Sequence, residues 1–174
     1  MIKKWKILKE ELIDLGWRKI YRRVYLLQNG KEAEFLIKKE PVVVCMVPVT
    51  RENNIVLTKQ YRPGPDKILL ELPAGGVEEG ETPEDAAKRE LLEETGYSGE
   101  IKYVGPSVDS AYSTLRRHNF VFVNCVKVGE QSLDDTEFID VKEVSMKEFR
   151  KHLRSGQLSD VETGYLGLDF LGLL

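Results

Sequence analysis

The sequence has no apolar run longer than Val42–Val49, less than half of the roughly 18 residues that a bilayer-spanning helix needs. It therefore lacks the material for a membrane span. Its first residues, Met1-Ile2-Lys3-Lys4-Trp5-Lys6, are basic but lead into no apolar segment, so they do not read as a secretory signal, and the expected location is the cytoplasm. Only two cysteines are present, Cys45 and Cys125, each in apolar surroundings. That excludes a disulfide framework and suits buried, reduced thiols. The two histidines, His118 and His152, have no serine or cysteine partner nearby in a triad-like pattern, so nucleophilic catalysis is disfavoured. No excess of either charge stands out: 26 basic residues meet 29 acidic ones for a net charge of −3, which argues against a nucleic-acid partner. The one basic cluster, Arg116-Arg117-His118, reads as solvated strand-edge residues.

What remains is a chain of 174 residues, 41% apolar and 32% charged, the balance of one folded domain able to bury a core without staples. Tyr21–Leu27 and Glu32–Lys38 are β-prone runs joined by Gln28-Asn29-Gly30-Lys31, and Asn-Gly favours a type I′ hairpin turn. Val42–Val49 and Ile55–Tyr61 flank the polar Arg51-Glu52-Asn53-Asn54, which predicts a second, deeper hairpin. Ile68–Leu72, Ile101–Val104, Phe120–Val128 and Phe138–Val144 complete the strands. Thr82-Pro83-Glu84-Asp85 opens a helix that Gly96 closes: threonine caps free backbone N–H groups, proline suits the first turn, and early acids favour the positive dipole end. Ser145-Met146-Lys147-Glu148 and Ser159-Asp160-Val161-Glu162 have capping-box spacing and predict two further helices. The fold class is α+β, with a boundary near Glu40-Pro41 that divides an N-terminal β-hairpin extension, residues 1–40, from a main domain, residues 41–174.

The central helix carries the chemistry. At 100° per residue, Ala87, Leu91, Leu92 and Thr95 gather on a core face, while Glu90, Glu93 and Glu94 share a second face. Like charges at this spacing repel by a few tenths of a kcal/mol per pair. A divalent cation would reverse that sign, and magnesium favours carboxylate oxygens while keeping positions for water and phosphate. Arg89 stands one turn before Glu93, where it can hold that side chain and offset the crowded charge. Before the helix, Leu72-Pro73-Ala74-Gly75-Gly76 brings backbone carbonyls close through small residues. An acid-rich helix face is ordinarily just solvated; here the whole spacing decides. Gly75, Glu81, Arg89-Glu90-Leu91, Glu93-Glu94 and Gly96 arise together by chance with a probability of order 10⁻⁸ per starting position.

This spacing resembles the Nudix box, with Tyr97 where an aliphatic residue is usual; that departure is expected to affect packing only. The strand order also resembles the Nudix fold, a mixed β-sheet sandwiched between α-helices. The resemblance implies Mg²⁺ or Mn²⁺ held by Glu90, Glu93 and Glu94, with the Ala74 carbonyl completing the set. It further implies hydrolysis of a nucleoside diphosphate linked to another group. Leu70-Glu71-Leu72-Pro73-Ala74-Gly75 and Gln60-Tyr61-Arg62-Pro63 resemble flanking segments of ADP-ribose pyrophosphatases, which makes Glu71 a residue near metal or substrate and Gln60 and Arg62 substrate contacts. An arginine fork can take two phosphate oxygens at once; the alternative for Arg62 is a surface salt bridge. By the same resemblance the proton acceptor lies in the acidic loop Asp134-Asp135-Thr136-Glu137, with Glu137 first and Asp135 in reserve.

The substrate implied is ADP-ribose or a related nucleoside diphosphate sugar, and the N-terminal extension resembles the region that pairs two subunits in those enzymes, so a homodimer is expected. The proline typical of that subgroup some sixteen residues beyond the box is missing from Ala111-Tyr112-Ser113-Thr114. Tyr112 falls near a tyrosine typical of dinucleoside polyphosphate hydrolases and is placed to stack on a base or simply to pack. A GDP-sugar, a dinucleoside polyphosphate, and a non-catalytic nucleotide-sugar sensor are the alternatives.

Overall fold

The computed structural model describes residues 1–174, which divide into two compact units, Met1–Val42 with Val108–Arg116, and Val43–Ser107 with Arg117–Leu174.

The first unit is built on a three-stranded antiparallel sheet: β1 (Lys6–Leu15), β2 (Arg18–Leu26) and β3 (Glu32–Lys39), in that order. The expected hairpin is its β2–β3 half. The turn differs in kind: Gly30 is left-handed (φ 79°) but Asn29 is not, so this is not the type I′ geometry, which needs positive φ at both central residues. β1 pairs directly opposite β2 through Glu10 and Arg23, Glu11 and Arg22, and Asp14 and Lys19, each such cross-strand charge pair contributing about 0.2–1 kcal/mol. Trp5, Tyr25, Phe35 and Tyr112 form an aromatic cluster in this unit, with Tyr112 stacked on Phe35 at 6.1 Å and 15°. They line a cleft of about 490 Å³.

The second unit centres on a seven-stranded sheet formed by β4 (Val42–Thr50), β5 (Asn54–Arg62), β6 (Lys67–Glu71), β7 (Ala74–Gly76), β8 (Tyr97–Val108), β9 (Arg116–Lys127) and β10 (Asp140–Ser145). Its main path runs β10-β5-β4-β9-β8, with β6 on β5 and β7 on β4. The alternation along β4 assigns the two faces. Cys45, Val47 and Val49 pack with Phe149, Leu153, Leu158 and Leu168, which belong to α2 (Met146–Leu153), α3 (Val161–Phe170) and the link between them. Val44 and Met46 pack with Ala86, Ala87 and Leu91 of α1 (Pro83–Thr95). A strand buried on both faces reads as a continuous apolar run, which is why β4 is the longest such run in the chain. The result is the expected sheet between helices.

Helix ends follow the capping signals closely. Thr82 accepts from the Asp85 amide at 3.2 Å and Gly96 closes α1 in the left-handed region (φ 73°). Both reciprocal bonds of the Ser145–Glu148 box are present. The second expected box is not formed. Asp160 is the residue before α3, with no side-chain cap bond, and the Ser159 hydroxyl is used elsewhere, as described below. Two burial expectations are also corrected. Leu92 is 43% exposed while Ala86 joins the core face, because the buried stripe of α1 is centred on Ala87 and Leu91. Arg117 is 7% exposed rather than solvated, paired with Asp160 at 2.8 Å and with Glu162. Tyr97 donates to Glu143 and packs against the α1-side core. No helix is long and apolar enough to cross a membrane.

Candidate active site

Three neighbouring segments build the acidic cleft. β7 lies antiparallel to β4, pairing Val44 with Gly75 and Cys45 with Ala74, and places its backbone against the C-terminal half of α1, where it meets Arg89, Glu90 and Glu94. A Cβ at Gly75 would overlap the Glu90 carboxyl, so glycine at that position lets the carboxylate stand where it does, and a larger residue would make it shift. On the next face, Glu94 is 4% exposed and accepts the Ala74 amide at 3.1 Å. The third segment is the loop before β10, which carries Glu137. Ala74, Gly75, Arg89, Glu90, Glu93 and Glu137 all line one cleft of about 470 Å³.

Arg89 is the organising cation. Its Nε and Nη2 donate to the two oxygens of Glu81 at 2.9 and 3.0 Å, Nη1 donates to Glu90 and Glu93 at 2.9 and 3.0 Å, and Nη2 also reaches the Gly76 carbonyl at 2.9 Å. All five N–H donors are thereby used, which fixes a fork that lysine could not reproduce. These partners, Glu81 foremost, raise the Arg89 guanidinium well above its ordinary value. Glu81 is in turn drawn down by Arg89. The box position Glu81 thus anchors Arg89, a role that only the motif spacing signalled.

The remaining acids are held against their electrostatic preference. Burial pushes the Glu94 carboxyl up to about 8, with Glu90 and Glu137 adding to it and the Ala74 amide and Arg62 opposing. Glu90 is likewise raised, first by burial and then by Glu93 and Glu137, against the pull of Arg89. Desolvated like charges of this kind ask for a compensating cation. As the side chains stand, no three acids close around a single ion-sized point, since Arg89 and the Ala74 amide hold them. The donor set nevertheless fits a hard divalent ion: carboxylate oxygens, a nearby backbone carbonyl and space for water.

Arg62 and Glu71 meet beside this cleft. Glu71, at the end of β6, is 2% exposed; its Oε2 accepts Arg62 Nε at 2.6 Å and its Oε1 accepts the Ser159 hydroxyl at 2.5 Å. Gln60 lines a second cleft of about 510 Å³ with Tyr61, Ile68 and Phe138, and the two clefts share Leu133 and Glu137. Tyr112 lies in the first unit, stacked on Phe35. Sequence reasoning did not single out Gln131, whose Nε2 donates to the Glu94 carbonyl at 2.6 Å and the Ile139 carbonyl at 3.1 Å. It closes the base of the loop that carries Glu137. No local pattern marks such a residue.

A family model described as the NUDIX domain matches residues 39–161, which takes in every element of this cleft. The chain belongs to the Nudix family. It is 34% identical to an ADP-ribose pyrophosphatase of Bacillus subtilis over 94% of this chain and 88% of that protein. It is 38% identical to an ADP-sugar pyrophosphatase of Mus musculus over 64% of this chain and 58% of that one. In three dimensions it resembles a crystal structure of an ADP compounds hydrolase, with a TM-score of 0.84 and 19% identity, covering 100% of this chain and 99% of the other; that likeness speaks for the fold. This Nudix protein is therefore a hydrolase, similar to proteins named as pyrophosphatases of ADP-ribose and ADP-sugars. Nudix hydrolases generally use divalent cations.

Proposed function

We propose that this Nudix enzyme hydrolyses the diphosphate linkage of ADP-ribose or a related nucleoside diphosphate sugar in the presence of Mg²⁺, releasing a nucleoside monophosphate and a sugar phosphate. The observation that carries the proposal is the joint lining of one cleft by Glu90, Glu93 and Glu137, backed by the buried Glu94. Glu90, Glu93, Glu94 and the Ala74 carbonyl would hold Mg²⁺ or Mn²⁺; when bound, such an ion neutralises diphosphate charge and lowers the pKa of a coordinated water. Arg89 keeps Glu90 and Glu93 in place. Arg62, whose only side-chain partner is Glu71 through Nε, presents both terminal nitrogens to substrate phosphate, and Gln60 lines the adjoining cleft. Glu137 accepts the proton from the attacking water, a role its place in the acidic cleft supports over Asp135, which does not line it.

Residues 1–40 serve as the dimerisation element in this reading. Leu15 at 61% and Trp17 at 86% exposure leave apolar area for a second copy to cover, and a monomeric mass in solution would count against it. Tyr112 is proposed to stack on a base. The cytoplasm is the proposed location.

Incubation with Mg²⁺ and a panel of ADP-ribose, other ADP- and GDP-sugars and a dinucleoside polyphosphate, followed by chromatography, tests the assignment. AMP and ribose 5-phosphate from ADP-ribose are expected. GMP from a GDP-sugar in preference would shift the substrate, while tight binding with no monophosphate released would replace the enzyme with a sensor.

A further inference from the structure

Ser159 stands where the sequence predicts a helix cap, and α3 goes without one. Serine before a helix ordinarily satisfies one of its free amides. Here the hydroxyl turns to two carboxylates instead, Glu71 at 2.5 Å and Asp160 at 3.0 Å, and the closer acceptor is Glu71. A side chain that forgoes local stabilisation to meet a buried carboxylate beside the catalytic cleft marks a conflict between local and global preference, and such conflicts concentrate at functional positions.

We infer that Ser159 is a positioning residue for substrate binding: by occupying Oε1 of Glu71 it turns Oε2 to Arg62, so that the arginine fork faces the substrate diphosphate. The inference rests on the reading of Arg62 as a substrate contact. Glu71 is sealed from water, so each of its oxygens needs a protein partner. Ser159 supplies one at 2.5 Å and Arg62 the other at 2.6 Å. Anchoring Arg62 through Nε alone leaves its terminal nitrogens free while the side chain is 42% exposed. That is the geometry of a preorganised anion clamp. The loop bearing Ser159 is itself fixed, because the neighbouring Asp160 pairs with buried Arg117 of β9 at 2.8 Å, and Arg117 also pairs with Glu162. Without the Ser159 hydroxyl, Glu71 Oε1 is a buried acceptor with no partner. Rotation of the carboxylate toward solvent or toward Arg62's terminal nitrogens then relieves it and spoils the aim of the fork.

The test is steady-state hydrolysis of ADP-ribose with Mg²⁺ by the full chain and four variants: Ser159→Ala, Ser159→Thr, Arg62→Ala, and Ser159→Ala combined with Arg62→Ala. Ser159→Ala is expected to raise KM about tenfold, equivalent to about 1.4 kcal/mol, with little change in kcat. Ser159→Thr, which keeps the hydroxyl, restores KM. In the Arg62→Ala background, loss of Ser159 adds nothing, the signature of residues acting through one another. An unchanged KM in Ser159→Ala, or the same fold-change with and without Arg62, would overturn the role of Ser159 even if Arg62→Ala is impaired. An unimpaired Arg62→Ala enzyme would instead remove the reading of Arg62 on which the inference stands, and the inference with it.

Discussion

Glu94→Gln is expected to lower kcat by about 10³-fold while leaving a folded and, without cation, slightly more stable protein. The loss follows from removing one charged oxygen ligand, which takes several kcal/mol from charge stabilisation in the transition state; about 4 kcal/mol corresponds to that factor. The stability gain follows from the same burial. In the unfolded chain a glutamate titrates at 4.5, whereas in the fold Glu94 is pushed up to about 8. Between those values the folded cation-free protein holds a proton that the unfolded chain has released, so its stability falls as pH rises through the window. Glutamine carries no such penalty. Cation-free Glu94→Gln should therefore melt no lower than the parent at pH 8, with its advantage shrinking toward pH 4.5. A variant that is both inactive and clearly less stable at pH 8 would mean that Glu94 is a structural carboxylate rather than a cation ligand. Full activity would remove it from the site.

Glu137→Gln is the second large effect. Removal of a general base costs typically about 10²- to 10⁴-fold in rate, and Glu137 lines the cleft together with Asp134 but is the one of the two that bears on the charge balance of Glu90 and Glu94. The expected outcome is a fall of that order in kcat, with KM changed by only about threefold because ground-state binding is left in place. Asp135→Asn should stay close to the parent, since Asp135 does not line the cleft. If the two variants exchange these behaviours, the proton acceptor is Asp135. If both remain fully active, the base is neither of these two acids.

The parts of the molecule legible in the sequence are those where local chemistry and tertiary role coincide. Thr82, Pro83 and Gly96 delimit α1 because a cap, a fixed φ and a left-handed residue act within one turn. Gly75 and the α1 acids are legible because their spacing along strand and helix survives folding, and the Cβ-free position opposite Glu90 gives that glycine its physical reason. β1 is not legible. Its strand Lys-Ile-Leu-Lys-Glu-Glu-Leu-Ile-Asp-Leu is almost wholly exposed, lacks a period of two, and is held by opposite charges on β2 that only the register brings together. Ser159 is illegible for a different reason: its spacing to Glu162 satisfies a capping box, but a carboxylate 88 residues away in sequence is the hydroxyl's closer acceptor. Arg117 similarly looks like half of a surface pair until α3 brings Asp160 and Glu162 to it. Long-range partners of this kind leave no local trace.

The most direct test of the whole account is a titration of Mn²⁺ followed by electron paramagnetic resonance, on the parent and on Glu90→Gln, Glu93→Gln and Glu94→Gln. Cation binding by the parent, weakened about tenfold or more by each substitution, is the expected result. Binding that is absent from the parent, or unaffected by all three substitutions, would contradict it.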